Sequence, residues 1–138
     1  MAIGIQKERD EAICAGQNAL ECLKEAKREL NGAESWGVYD ILGGGMLSKL
    51  IKHNKINNAA LCIEEAQRCI EQFYQELKDL SEICDVDLEI SEFAVFCDFF
   101  LDHTIGDFFM QYKIEKAKRL VDEAIMRTGD ILNRICSL

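Results

Sequence analysis

The feature that most constrains this chain is a long apolar series in its middle. Ile56, Ala59, Ile63, Ala66, Ile70, Phe73, Leu77, Leu80 and Cys84 follow one another at alternating steps of three and four. An α-helix turns once every 3.6 residues, so this spacing lines all of them along one side of a rod; a strand would send successive members to opposite faces. The pattern runs unbroken through four heptads, the signature of coiled-coil-like packing. It predicts a helix over about residues 47–83, roughly 55 Å long at 1.5 Å per residue. The chain has no proline, the residue that interrupts helix interiors.

Two more segments carry the same period. Ala12, Ala15, Ala19, Cys22 and Ala26 form a seam of small side chains, widened by Ile13, Leu20, Leu23 and Leu30. They predict a first helix over about residues 6–33, with Asn31-Gly32 as its stop signal. Gly16 lies in this stripe and costs about 1 kcal/mol relative to alanine in a helix interior. A close crossing with a neighbour is the reason to keep it. Near the other end, Ile114, Ala117, Val121, Ala124, Thr128, Ile131, Ile135 and Leu138 predict a last helix, flanked by Leu120, Ile125 and Leu132. Between them, Ser91 as N-cap and Glu92 in the first turn open a short helix to Asp102. Its Phe93, Ala94, Val95, Phe96, Cys97, Phe99, Phe100 and Leu101 leave almost no polar face except Asp98. Such a helix is buried in the core or against another subunit.

The fold class is therefore all-α: one antiparallel bundle domain of three long helices and one short aromatic helix. Residues 64–92 hold ten acids against Arg68 and Lys78, whereas the last helix opens with Lys113, Lys116, Lys118 and Arg119. This predicts an antiparallel second and last helix side by side, acidic end against basic start.

Composition closes off several functions. At a formal net charge of −9 the chain repels phosphate backbones, so nucleic acid is not an expected partner. No run approaches 18 apolar residues, so no transmembrane helix is expected. The opening MAIGIQKERDEAI has neither a basic start nor an apolar core of a secretory signal, which points to the cytoplasm. Seven cysteines (Cys14, Cys22, Cys62, Cys69, Cys84, Cys97 and Cys136) include no CxxC pair. They read as small apolar core residues rather than as a disulfide framework or a metal-thiolate set.

The glycine-rich segment GGGMLSKLIKHNK is where a ligand would sit. Residues 41–63 contain no acid, while Lys49, Lys52, His53 and Lys55 cluster there. Lysines in the first turns of a helix oppose its dipole. A bound anion would compensate them, held by free backbone N–H groups, by Gly43, Gly44 and Gly45, and by Ser48, Lys49, Lys52 and His53. The alternative is a tight glycine turn beside a solvated lysine face. The GxxxxGK[ST] spacing of a nucleotide triphosphatase is missing. Neither histidine has a glutamate three residues before it, as a di-metal carboxylate bundle requires. Asp98, Asp102, His103 and Asp107 point in several directions and read as capping groups. No cysteine has a positioned base, and Phe93, Phe96, Phe99, Phe100, Phe108, Phe109 and Tyr112 recur at core spacing rather than lining a pocket. No catalytic residue, metal or cofactor is expected.

Trp36, Gly43, Gly44, Gly45, Ser48, Lys52, His53 and Ala59, with Asp107 and Phe108 before the last helix, resemble the motif of an uncharacterised family of bacterial helical proteins. The resemblance spans about residues 36–116. It implies a helical fold and supplies no activity; it adds weight to Lys52 and His53 as more than surface residues. The expectation for function is a non-enzymatic structural or protein-interaction bundle, partnered by a second copy or by another helical protein. The alternative is a module binding a small anion, phosphate or lipid headgroup.

Overall fold

In the computed structural model the backbone is described for residues 2–43, 46–83, 90–102 and 114–138, and the side chains for 4–32, 58–83, 90–102 and 116–138. The described residues form four helices: α1 (Ala2–Gly43), α2 (Met46–Ile83), α3 (Ile90–Asp102) and α4 (Ile114–Cys136). No strand occurs among them. The all-α class read from periodicity is what the chain adopts.

The heptad series becomes the core. Ala59, Ile63, Ala66, Ile70, Phe73, Leu77 and Leu80 are all fully buried on α2. Ile56 and Cys84 lie outside the described side chains. On α1 the buried stripe is Ala12, Ala15, Ala19, Leu23, Ala26 and Leu30, and on α4 it is Ala117, Val121, Ala124, Thr128, Ile131, Leu132 and Ile135. Leu138, the last member of the series on α4, falls beyond the end of that helix and is exposed.

The small side chains decide how near the helices come. A Cβ placed on Gly16 would stand 2.6 Å from Leu132 Cδ2 and 2.8 Å from Phe73 Cε1. Those distances lie well inside van der Waals contact. Gly16 is kept because α4 and α2 both close on α1 at that point.

Helix α1 runs to Gly43 and passes through Asn31 and Gly32, where a stop was expected. The physical reason is quantitative. An interior glycine costs about 1 kcal/mol but removes no hydrogen-bond donor, and only proline breaks the ladder outright. Helix α3 begins at Ile90, so Ser91 lies inside it rather than at its cap.

Among the described residues, α2 makes close backbone contact with α1 and α3, and α4 with α1 and α3. Among the described residues, no close backbone contact joins the second and last helices, which their charges had placed side by side. Exposed ion pairs contribute at most about 1 kcal/mol each, whereas covering an apolar stripe is worth roughly 25 cal/mol per Å². The apolar stripes set the neighbours. Across the α1–α4 contact, Lys27 Nζ pairs with Asp122 at 2.8 Å.

Helix α3 is held by its aromatic face. Phe93 meets Phe73 edge to face with ring centroids 5.7 Å apart, and Phe96 stacks with Phe100 at 5.7 Å. Gln67 Nε2 donates to the Phe100 carbonyl at 2.9 Å, satisfying one of the acceptors that a helix C-terminus leaves open. Phe93, Phe96, Cys97 and Phe100 are buried, yet Val95 is 71% exposed and Phe99 47%. The helix is thus not buried all round within one chain.

Candidate functional site

Four places bear on function. The first is the expected anion site. Gly43 is the last residue of α1, and Ser48, Lys49, Lys52 and His53 lie in the first turns of α2, which starts at Met46 and has no acid in its first turn. Gly44 and Gly45 lie outside the described residues, as do the side chains of the other four. His103, Asp107, Phe108, Phe109 and Tyr112 also lie outside them. Asp98 and Asp102 are exposed on α3.

The second is a group of thiols that sequence spacing did not associate. Cys22 Sγ and Cys69 Sγ stand 3.1 Å apart across the α1–α2 seam. One Glu65 carboxylate oxygen joins them, all three donor atoms lying within 4.8 Å of one another. Cys62, Glu65 and Cys69 follow at i, i+3 and i+7, hence on one face of α2. The alanines of α1 and α2 permit the approach that brings Cys22 to this face. Burial pushes the Cys22 thiol up to about 12, helped by the Cys69 thiol, the Glu65 carboxylate and Cys62. Burial likewise raises Cys62, with Glu29 and Glu25 adding to it. At neutral pH these two thiols hold their protons.

The cysteines are thus not the uniformly buried apolar residues expected. Cys97 alone among those described is buried; Cys14 and Cys136 are exposed, and Cys22, Cys62 and Cys69 are half-buried. Burial, with Asp98 beside it, pushes Cys97 up to about 12, which makes it an inert core thiol. Cys62 and Cys69 sit at equivalent heptad positions but about 10 Å apart along α2, and it is the height of Cys69 that Cys22 shares.

The third is an accumulation of acid. Glu8, Glu76 and Asp79 place their carboxylates within 4.8 Å of one another. Desolvation raises the Glu76 carboxyl first, then Glu11; a hydrogen bond from Gln72 works against them, and Asp79 and Glu8 add to the rise.

The fourth is a groove between α3 and α4, lined by Glu92, Val95, Phe96, Phe99, Glu123 and Arg127. The Arg127 guanidinium lies 5.4 Å from the centre of the Phe96 ring, and its Nε donates to Glu123 at 3.0 Å. A second concavity follows beside it, with Asp130, Ile131 and Arg134 on its α4 side. Met126, one turn from Glu123, is 58% exposed.

Among the described residues, no helix is long and apolar enough to cross a membrane. No protein-family model, no curated protein and no solved structure matches the chain.

Proposed function

We propose that this chain is a non-enzymatic structural or protein-interaction protein, an antiparallel coiled-coil-like bundle that docks through the α3–α4 surface. The observation that carries the docking reading is the exposure of Val95 and Phe99, which line the groove together with Phe96. Large apolar side chains grouped on one surface mark interaction sites more often than isolated ones do. Support for the antiparallel arrangement comes from paired heights. Gly16 meets Phe73 while Cys22 meets Cys69, and Gly16 meets Leu132 while Lys27 meets Asp122. In each pairing the number falls on one helix as it rises on the other.

The partner proposed is a second copy of the chain. A two-fold interface places the same patch on both sides, so any charges it holds are matched only where both signs are present. The lining of the two concavities offers Glu92, Glu123 and Asp130 together with Arg127 and Arg134. Light scattering after size exclusion tests this: the chain elutes as a dimer and Val95→Asp as a monomer, both with unchanged helicity. A wild-type monomer at high micromolar concentration overturns the homodimer.

A second reading, a module for a small anion, phosphate or lipid headgroup, is favoured by the start of α2. Its backbone begins at Met46, so Ser48 and Lys49 fall in the first turn, where N–H groups lack helical acceptors. Phosphate then raises the melting temperature of the wild type and not of Lys52→Ala. A shift that persists in Lys52→Ala rejects the site.

A further inference from the structure

We infer that Cys22, Glu65 and Cys69 form a binding site for one thiophilic divalent cation, Zn²⁺. The site lies on the α1–α2 seam and makes no use of the α3–α4 surface.

The donor geometry suits that ion. Zinc binds thiolate sulfur at about 2.3 Å and carboxylate oxygen at about 2.0–2.2 Å, in tetrahedral order. Two sulfurs on one tetrahedral zinc therefore lie about 3.8 Å apart. The Cys22 and Cys69 sulfurs at 3.1 Å need to part by about 0.7 Å, a χ1 adjustment in each. The Glu65 oxygen already stands within 4.8 Å of both. Cys62, one heptad and so about 10 Å along α2 from Cys69, is too far to share the ion, and solvent would complete the ion's coordination.

Cys22 and Cys69 pack against the edge of the core, but packing alone does not call for a carboxylate oxygen beside their sulfurs. At this height the apolar seam is filled by Ala19, Leu23, Ala26, Ile63, Ala66 and Ile70, all fully buried. Cys22, Cys62 and Cys69 flank that seam half-buried, and Glu65 is exposed. Two thiols so placed could instead close a disulfide, but that would employ two of the three donors and leave the Glu65 oxygen outside the bond. A divalent cation employs all of them. On binding, the thiols lose their protons to solvent and the sulfurs and carboxylate donate electron pairs to the metal, with no change of oxidation state. Arg68, which pairs with Glu65, offsets part of the negative charge the site gathers. Half-burial leaves an entry path from solvent.

Reduced full-length protein titrated with Zn²⁺ against a chromophoric chelator tests the site, with Co²⁺ as the spectroscopic probe. The expected result is one ion per chain and sulfur-to-cobalt charge-transfer absorption in the near ultraviolet. Cys22→Ser and Cys69→Ser each weaken binding by at least about 100-fold, while Cys14→Ser and Cys136→Ser leave it unchanged. Circular dichroism checks that each variant is folded, and Glu65→Gln, on an exposed side chain, supplies a further variant with weakened affinity. Zn²⁺ also protects Cys22 and Cys69, but not Cys14 and Cys136, from alkylation. The inference is overturned by absent cobalt–sulfur absorption, by affinity that survives in folded Cys22→Ser and Cys69→Ser, or by alkylation that Zn²⁺ does not slow. Reduced protein that ignores Zn²⁺ but oxidises readily to a Cys22–Cys69 disulfide overturns it as well.

Discussion

Gly16 of α1 faces Leu132 of α4 at a distance that leaves no room for a methyl group: a Cβ there would stand 2.6 Å from Leu132 Cδ2, with Phe73 of α2 nearly as close. One glycine thus sets the separation of three helices.

Enlarging that position forces the core apart. Gly16→Val is expected to lose about 1–3 kcal/mol, the usual cost of overpacking, despite the better helix propensity of a residue with a side chain. Gly129, also within a helix, has nothing within 4 Å of its Cβ position. There, Gly129→Ala gains about 0.5–1 kcal/mol. Urea unfolding of the two variants checks the contrast; equal effects would reject the close crossing.

Removing apolar volume from the central seam is costly only on one side of α2. Ile70→Ala is expected to lose about 2–5 kcal/mol, as buried isoleucines do. Leu61→Ala, at a side chain 65% exposed, stays within about 0.5 kcal/mol of wild type. Thermal denaturation followed at the helical dichroism band separates them.

Thr128 is fully buried and its Oγ1 has no hydrogen-bond partner among the described residues. A buried hydroxyl left unpaired costs about 1–3 kcal/mol. Thr128→Val keeps the shape, removes the hydroxyl and is expected to raise stability by about 1 kcal/mol. A variant less stable than wild type, measured by chemical denaturation, would show that the hydroxyl is bonded.

Glu76 sets a pH dependence. Its carboxyl titrates above the ordinary glutamate range because of burial and then Glu11. The folded chain holds this proton more tightly than the unfolded chain does. Stability therefore falls as pH rises from the unfolded pKa through the raised folded value, and the penalty is complete above it. Glu76→Gln is expected to be the more stable protein at pH 7, by less than about 1 kcal/mol. The gap should close once the pH drops below the ordinary glutamate range. Melting temperatures of both proteins across that range supply the measurement; a gap that widens toward acid contradicts it.

Much of the fold was legible because a helix translates sequence spacing directly into a face. Steps of three and four placed Ile63, Ile70, Phe73 and Leu77 on one line, and that line is buried. The same logic singled out Gly16 as a point of close approach. The end of α1 was less legible: Asn31-Gly32 weakens a helix without removing a hydrogen bond, so the helix runs on to Gly43. The candidate thiol site was not legible at all. Cys22 and Cys69 are 47 residues apart, and no local spacing records that.

What the sequence determined by itself is the set of stripes, since each depends only on the helical period. Which stripe covers which was decided by tertiary structure. Among the described residues, the close backbone contacts of α2 and α4 run to α1 and α3, because apolar area outweighs surface charge. The meeting of Cys22 with Cys69 and Glu65 follows from that choice and from the small side chains at the seam. Relative height along two rods is a property of their packing, and neither rod specifies it alone.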